Sequence, residues 1–208
     1  MKCALFSFVV SVTVLAADNG GWISLFDGKT LSGWKSNEET PGCFTVENGI
    51  LKVSGGRSHL FYVGPDGKAK FKNFEFKAKV MTTPGSNSGI YFHTEFQEKG
   101  WPAKGYECQV NTSHKDPRKT GSLYAIKDVL NVAPTPDNEW FDYYIKVEGK
   151  KITVKINGKT TAEFTEPDNW EPPAKMPGRR LSEGTFCLQA HDPKSTVFYK
   201  EIFVRPLP

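Results

Sequence analysis

Strand-like runs and turn residues alternate along this whole chain at a spacing of roughly 8–12 residues, the interval of a β-sandwich or barrel. Phe74-Glu75-Phe76-Lys77-Ala78-Lys79-Val80 alternates strictly between apolar and polar, as a strand with one buried and one wet face must. Ser88 to Glu95, Gly105 to Asn111, Gly184 to His191 and Val197 to Val204 are read as further strands. Hairpins are predicted at Glu47-Asn48-Gly49, around Glu148-Gly149-Lys150 and at Asn157-Gly158, where Asn and Gly accept the positive φ of a tight turn. No helical periodicity runs beyond two turns, and the prolines between Glu166 and Pro177 exclude a regular element there. For 208 residues without a linker, 13% of them aromatic, the expectation is one all-β domain over residues 18–208, a sandwich of two antiparallel sheets.

Residues 1–17 have a different character. Lys2 precedes an apolar stretch from Cys3 to Leu15, and Ala16-Ala17 follow it, the layout of a secretory signal peptide cleaved after Ala17 (or Ala16). The stretch is too short to span a bilayer, and no other segment approaches the ~20 residues a spanning helix needs. A periplasmic or extracellular protein without an integral membrane segment is expected. The net charge of +4 falls to +3 when Lys2 leaves with the leader, and the basic residues are scattered among Asp and Glu, so nucleic acid is not an expected partner. Cys43, Cys108 and Cys187 then remain, an odd number that leaves at least one free thiol or an intermolecular bridge. One disulfide among them is open; a disulfide-built fold is not.

Period-two alternation also sorts side chains by face. From Ser88 onward it puts Ile90 and Phe92 on one face and Tyr91, His93 and Glu95 on the other. In the next strand Tyr106, Cys108 and Val110 look inward, with Glu107, Gln109 and Asn111 opposite. Near the C-terminus Phe186, Leu188 and Ala190 face the core, and Cys187, Gln189 and His191 face away. An ordinary solvent face carries Lys, Glu and Thr, as Glu75, Lys77 and Lys79 illustrate. Three strands presenting Tyr, His, Glu, Gln and Asn instead suit pairing with hydroxyl groups, and as neighbours they would floor one groove. Tyr124, Lys127 and Trp101, from adjoining loops, are candidate walls, although Trp101 is equally a candidate core plug. His93 and Glu95, two apart on a strand, together with Glu107 and His191 form a candidate divalent-metal set. Glu95 and Glu107 are the carboxylates that acid–base cleavage of a sugar would use, but the E-x-D-x-x-E strand motif of laminarinase-type glycosidases is absent.

An ordered series of segments then resembles one family. Leu25-Phe26-Asp27-Gly28-Lys29-Thr30-Leu31-Ser32-Gly33-Trp34, Asn73-Phe74-Glu75-Phe76 and Asn87-Ser88-Gly89-Ile90-Tyr91-Phe92 match it, as do Gly105-Tyr106-Glu107 with Gln109 and Thr120-Gly121-Ser122-Leu123-Tyr124. Leu188-Gln189 with His191 and the closing Val204-Arg205-Pro206-Leu207 complete the series. The chain is on these residues similar to the 3-keto-disaccharide hydrolase family, over essentially its whole length after the leader. Ala190 and Asp192 flank His191 where the family pattern has Asp and Gly, and His93 stands where it has Arg.

The resemblance implies a concanavalin/lectin-like jelly roll that cleaves glycosides already oxidised to a ketone at C3. Such a ketone acidifies the C2 proton, so a base can remove it, and the resulting enolate expels the C1 substituent. Glu107 and His191 fall on family motif positions and are the catalytic candidates, with base and acid unassigned between them. Tyr91, His93, Glu95, Gln109, Asn111, Tyr124, Lys127, Gln189 and Trp101 are the substrate-binding candidates, with a divalent metal on the 2-hydroxy-3-keto pair as an option. The competing expectations are a non-catalytic carbohydrate-binding module using the same groove, and a purely structural envelope protein.

Overall fold

The computed structural model describes residues 20–208, and the predicted leader of residues 1–17 lies outside the described residues. Among the described residues, every regular element is a strand: β1 (Ile23–Ser24), β2 (Trp34–Ser36), β3 (Phe44–Glu47), β4 (Ile50–Ser54), β5 (Ser58–Tyr62), β6 (Asn73–Thr82), β7 (Asn87–Thr94), β8 (Tyr106–Asn111), β9 (Phe141–Glu148), β10 (Lys151–Ile156), β11 (Lys159–Thr165), β12 (Thr185–Ala190) and β13 (Thr196–Leu207). They form two antiparallel sheets, as expected. The larger runs β11-β10-β9-β6-β13-β4-β3 with β1 against β13, and the smaller runs β2-β5-β12-β7-β8. Asn48-Gly49 and Asn157-Gly158 all have positive φ, which is why these dipeptides close the β3–β4 and β10–β11 hairpins.

The inner faces meet in one core. Phe74, Phe76, Ala78 and Val80 of β6 pack with Tyr143, Ile145 and Val147 of β9 against Ile90, Phe92, Tyr106, Cys108, Val110, Phe186 and Leu188 of the smaller sheet. Buried tyrosine hydroxyls need partners, and here they find them on the strands that carry the site. Tyr143 Oη donates to the Gln109 carbonyl at 2.9 Å. Tyr199 Oη lies 2.8 Å from Ser88 Oγ, which in turn donates to the Gln189 carbonyl at 2.6 Å. The larger sheet thus fixes the smaller one from beneath, at the backbone of two floor residues. Cys43, Cys108 and Cys187 are all buried free thiols, so no disulfide joins them. Among the described residues, no helix is long and apolar enough to cross a membrane.

Candidate active site

Loops flank the outer face of the smaller sheet, and an open cavity of about 480 Å³ lies between sheet and loops, within the roughly 300–1,000 Å³ of small-molecule sites. Tyr91, Glu107, Gln109 and Gln189 form its floor, all buried. Cross-strand pairing explains their proximity: Tyr91 is opposite Glu107, Gly89 opposite Gln109, and Cys187 opposite Tyr91. Gly89 is needed for space rather than for its backbone. A Cβ there would sit 2.7 Å from Glu107 Oε1.

Glu107 is the centre of the floor. Its Oε2 accepts from Arg179 Nη2 at 2.9 Å, and its Oε1 accepts from Gln189 Nε2 at 3.2 Å. Both members of the ion pair are over nine-tenths buried. Burial pushes the Glu107 carboxyl up, and Arg179, Tyr91 and Gln189 oppose that push without cancelling it. Gln189 Nε2 also donates to Tyr91 Oη at 2.8 Å. Three buried atoms of cavity-lining residues have no hydrogen-bond partner: Gln109 Oε1, Gln189 Oε1 and Arg179 Nε. Buried polar atoms are normally paired, so two acceptors and a donor left over beside one carboxylate suit a ligand rich in hydroxyls.

The walls come from three loops. Trp101 belongs to the segment between β7 and β8, is 44% exposed, and lies 5.4 Å from the His191 ring and 5.5 Å from the His59 ring. It lines the cavity and does not plug the core. Glu39 accepts from Gly100 N at 3.0 Å and pairs with Arg57, whose guanidinium sits 5.3 Å from the Trp101 ring. The Trp101 platform is thereby tied to the β2–β3 and β4–β5 connections. Burial pushes His59, beneath it, down to about 4. Tyr124 and Asp116 line the opposite side, with Tyr124 Oη donating to Asp116 Oδ2 at 3.3 Å. Lys175, Met176, Pro177 and Arg179 come from the proline-rich segment between β11 and β12. Gly178 seats that segment: its carbonyl accepts from Gly105 N at 2.9 Å, and a Cβ on it would fall 1.8 Å from the Ala103 carbonyl oxygen.

Four sequence-selected residues lie elsewhere. His93 shares neither face nor cavity with Tyr91, because β7 carries an extra residue: Tyr91 pairs with Cys187, but Thr94 pairs with Thr185. The bulge falls at His93 itself, with φ of 55°, and breaks the alternation that would have aligned the two. The His93 ring instead sits 2.8 Å from the Lys72 carbonyl through Nε2 and accepts from Ser182 N at 3.2 Å through Nδ1. Glu95 lies beyond the strand end, exposed and paired with Lys104 at 2.7 Å. Asn111 is buried in the loop that follows it, donating to the carbonyls of Asp116 and Arg118 and accepting from His114 N. Lys127 turns outward at the end of the Leu123–Lys127 turn that presents Tyr124. The proposed metal set of His93, Glu95, Glu107 and His191 is therefore not assembled. Among the described residues, the one group that brings three such donors together is His114, His191 and Asp192, within 4.8 Å of one another.

Arg179, His59, His114, Asp116 and Asp192 are the site residues that alternation missed. All but His59 sit outside strands, where no period exists to mark them. The available signal was glycine: Gly105, Gly178 and Gly184 are each crowded by backbone, which marks places where loops and the bulge press against the sheet.

The fold is a lectin-like jelly roll, and its buried Glu, Arg, Gln and Tyr side chains open into a cavity walled by tryptophan. The chain belongs to the 3-keto-alpha-glucoside-1,2-lyase-like domain family, whose model matches residues 21–205. It is 30% identical over 175 residues to a 3-keto-disaccharide hydrolase of Bacteroides thetaiotaomicron, an alignment covering 72% of this chain and 60% of the relative. A glycosyl-hydrolase candidate from Parabacteroides distasonis shares the fold with a TM-score of 0.76 and 23% identity, over 91% of this chain and 95% of that one. The carbohydrate-binding module CBM66 of Bacillus subtilis does so with a TM-score of 0.54 and 14% identity, over 84% and 96% respectively.

Proposed function

We propose that the protein is an exported enzyme that cleaves 3-keto-glycosides by removing the C2 proton and eliminating the C1 substituent, followed by hydration. The observation that carries this reading is the Glu107 carboxyl, buried on the cavity floor with Arg179 on one oxygen and Gln189 on the other. Family membership supports the substrate class. The leader-like residues 1–17 support export.

The chemistry asks for a group that takes the C2 proton, a donor that meets charge building on the C3 oxygen, and an acid for the departing C1 oxygen. Glu107 and His191, both lining the cavity, are the ionisable groups on hand for these proton transfers. Arg179 is a fixed cation beside them, placed to meet negative charge as it develops. The unpaired Gln109 and Gln189 oxygens accept from sugar hydroxyls, and Trp101 offers a face for the ring to stack on.

Incubation with a 3-keto-disaccharide in heavy water, followed by NMR of the products, tests the proposal. Release of the aglycone with deuterium at C2, and none from the unoxidised disaccharide, is the expected result. Absence of turnover across a panel of 3-keto-glycosides, with glycan binding that survives Glu107→Gln and His191→Ala, would replace the enzyme by a non-catalytic binding module.

A further inference from the structure

His191 is the one member of the His114–Asp192–His191 group that lines the cavity; the other two stand behind it. Its Nδ1 lies 2.9 Å from Asp192 Oδ2. That carboxylate is itself held from two more directions, by Ser195 Oγ on Oδ2 at 2.6 Å and by Lys194 N on Oδ1 at 3.0 Å. Ser195 Oγ in turn accepts from Asn87 N at 2.8 Å, which anchors the turn to β7. A carboxylate receiving such donors is ionised and only accepts, so the proton in the contact belongs to His191 Nδ1. The neutral ring then carries its lone pair on Nε2.

The same three side chains could be read as a cation site, with two imidazoles and a carboxylate as donors. Proton positions speak against it. His114 Nδ1 accepts from Asp116 N at 3.1 Å, and a backbone N–H cannot do otherwise than donate. The neutral His114 ring therefore carries its proton on Nε2, the nitrogen that faces Asp192 Oδ2 at 3.9 Å. A metal-ligating histidine shows the opposite arrangement, with the remote nitrogen donating.

We infer that Asp192 is a positioning residue that fixes His191 as the Nδ1–H tautomer, making His191 Nε2 the base of the reaction. The assignment rests on the activity proposed above. In the first step the C2–H bond breaks, the proton passes to Nε2, and the electron pair enters the enolate on C2, C3 and the C3 oxygen. That pair then forms the C1=C2 bond as the C1–O bond breaks, and the imidazolium passes its Nε2 proton to the departing oxygen. Glu107 stays a carboxylate throughout, accepting from Arg179 and Gln189. In the hydration step Nε2 takes a proton from water as hydroxide adds to C1, and the imidazolium then delivers that proton to C2. Asp192 does not take the proton at any stage; it stabilises the imidazolium, as the buried Asp of a serine-protease triad does.

Nitrogen-15 NMR of the histidine-labelled mature protein tests this without reference to turnover. In the wild type the His191 Nδ1 should resonate as a protonated nitrogen and Nε2 as a bare one, and Asp192→Asn should reverse or mix the two. With 3-keto-disaccharide, Asp192→Asn should lower kcat about 10³–10⁴-fold with KM within a few-fold of wild type, and Asp192→Glu should restore part of the loss. An Nε2–H tautomer in the wild type overturns the inference, as does an unchanged kcat in Asp192→Asn. Zinc or manganese shifting the His114 and His191 signals together at micromolar concentration overturns it too. A wild type with the Nδ1–H tautomer that fails to turn over any 3-keto-glycoside supports the pairing of Asp192 with His191 and refutes the proposed activity instead.

Discussion

Replacing Arg179 by methionine removes the one full charge that, among the described residues, hydrogen-bonds the buried Glu107 carboxylate. The two groups meet at 2.9 Å, each less than a tenth exposed, so their gross attraction at an effective dielectric near 20 is about 6 kcal/mol. Part of that offsets the cost of taking both ions out of water, and removal of one partner from such a pair costs about 3–5 kcal/mol. Arg179 Nη1 also donates to the Gly105 carbonyl at 3.2 Å, and this bond is lost as well. Urea unfolding of Arg179→Met, Glu107→Gln and the double variant forms the cycle. The double variant is expected within about 1–2 kcal/mol of wild type, because exchanging both buried charges for neutral groups is often nearly neutral. The pH dependence adds a second check. Without Arg179 the Glu107 carboxyl is pushed further up, so the folded state keeps a proton that the unfolded chain releases from about pH 4.5 upward. Arg179→Met should therefore lose stability relative to wild type as pH rises from that point. Single-variant losses that simply add, to within about 0.5 kcal/mol, would refute a coupled buried pair.

Four further outcomes are expected. Gly89→Ala places a carbon 2.7 Å from Glu107 Oε1 and should cut kcat about 10²-fold by displacing the carboxylate, with the circular dichroism unchanged. Gly105→Ala meets the Phe92 carbonyl oxygen at 2.0 Å from a φ of +78°, and should cost about 2–4 kcal/mol of unfolding free energy from backbone strain and overpacking together. His59 is held at about 4, below its ordinary 6.5, so the unfolded state binds the extra proton between those values; the wild type should lose about 3 kcal/mol relative to His59→Phe as pH falls from 6.5 to 4, read by denaturant midpoints. Trp101→Ala should raise KM for a 3-keto-disaccharide about 2–10-fold through loss of the stacking face, with kcat nearly unchanged in steady-state assays.

Alternation recovered most of the sandwich because most strands have one covered and one open face. It did not mark β5, Ser58-His59-Leu60-Phe61-Tyr62, and the reason is physical. All five residues are buried: Leu60 and Tyr62 face the core, while Phe61 packs with Tyr91 and Cys187 on the other side. A strand covered twice shows no period. β13 illustrates the opposite hazard, since Val197 and Tyr199 are buried together with Ile202 and Val204. The change of parity is made by an irregularity between Lys200 and Phe203 containing Glu201 at φ 51°. His93 on β7 is the same device placed beside the site, and there it cost a misassigned ligand.

The candidate site divides along the same line. Tyr91, Glu107, Gln109 and Gln189 were legible because a regular ladder fixes which face each side chain takes, and the family motif falls on those strands. Arg179, Asp116 and Asp192 were not, because these loop residues take their places at the cavity wall, or behind His191 for Asp192, through contacts that only the folded chain possesses. For Arg179 the contact is backbone: Gly178 lies so close to Ala103 that the segment has one place to sit. For Asp192 it is a turn closed by Ser195 and Lys194. The sequence-level departure from the family pattern at Asp192 was visible, yet its meaning depended on knowing that His191 turns its Nδ1 toward it. In a site of this design the ladder supplies the floor and its hydrogen-bonding groups. The loops supply the charges that set the protonation of that floor, so its chemistry is decided by the part of the chain with the least periodic sequence.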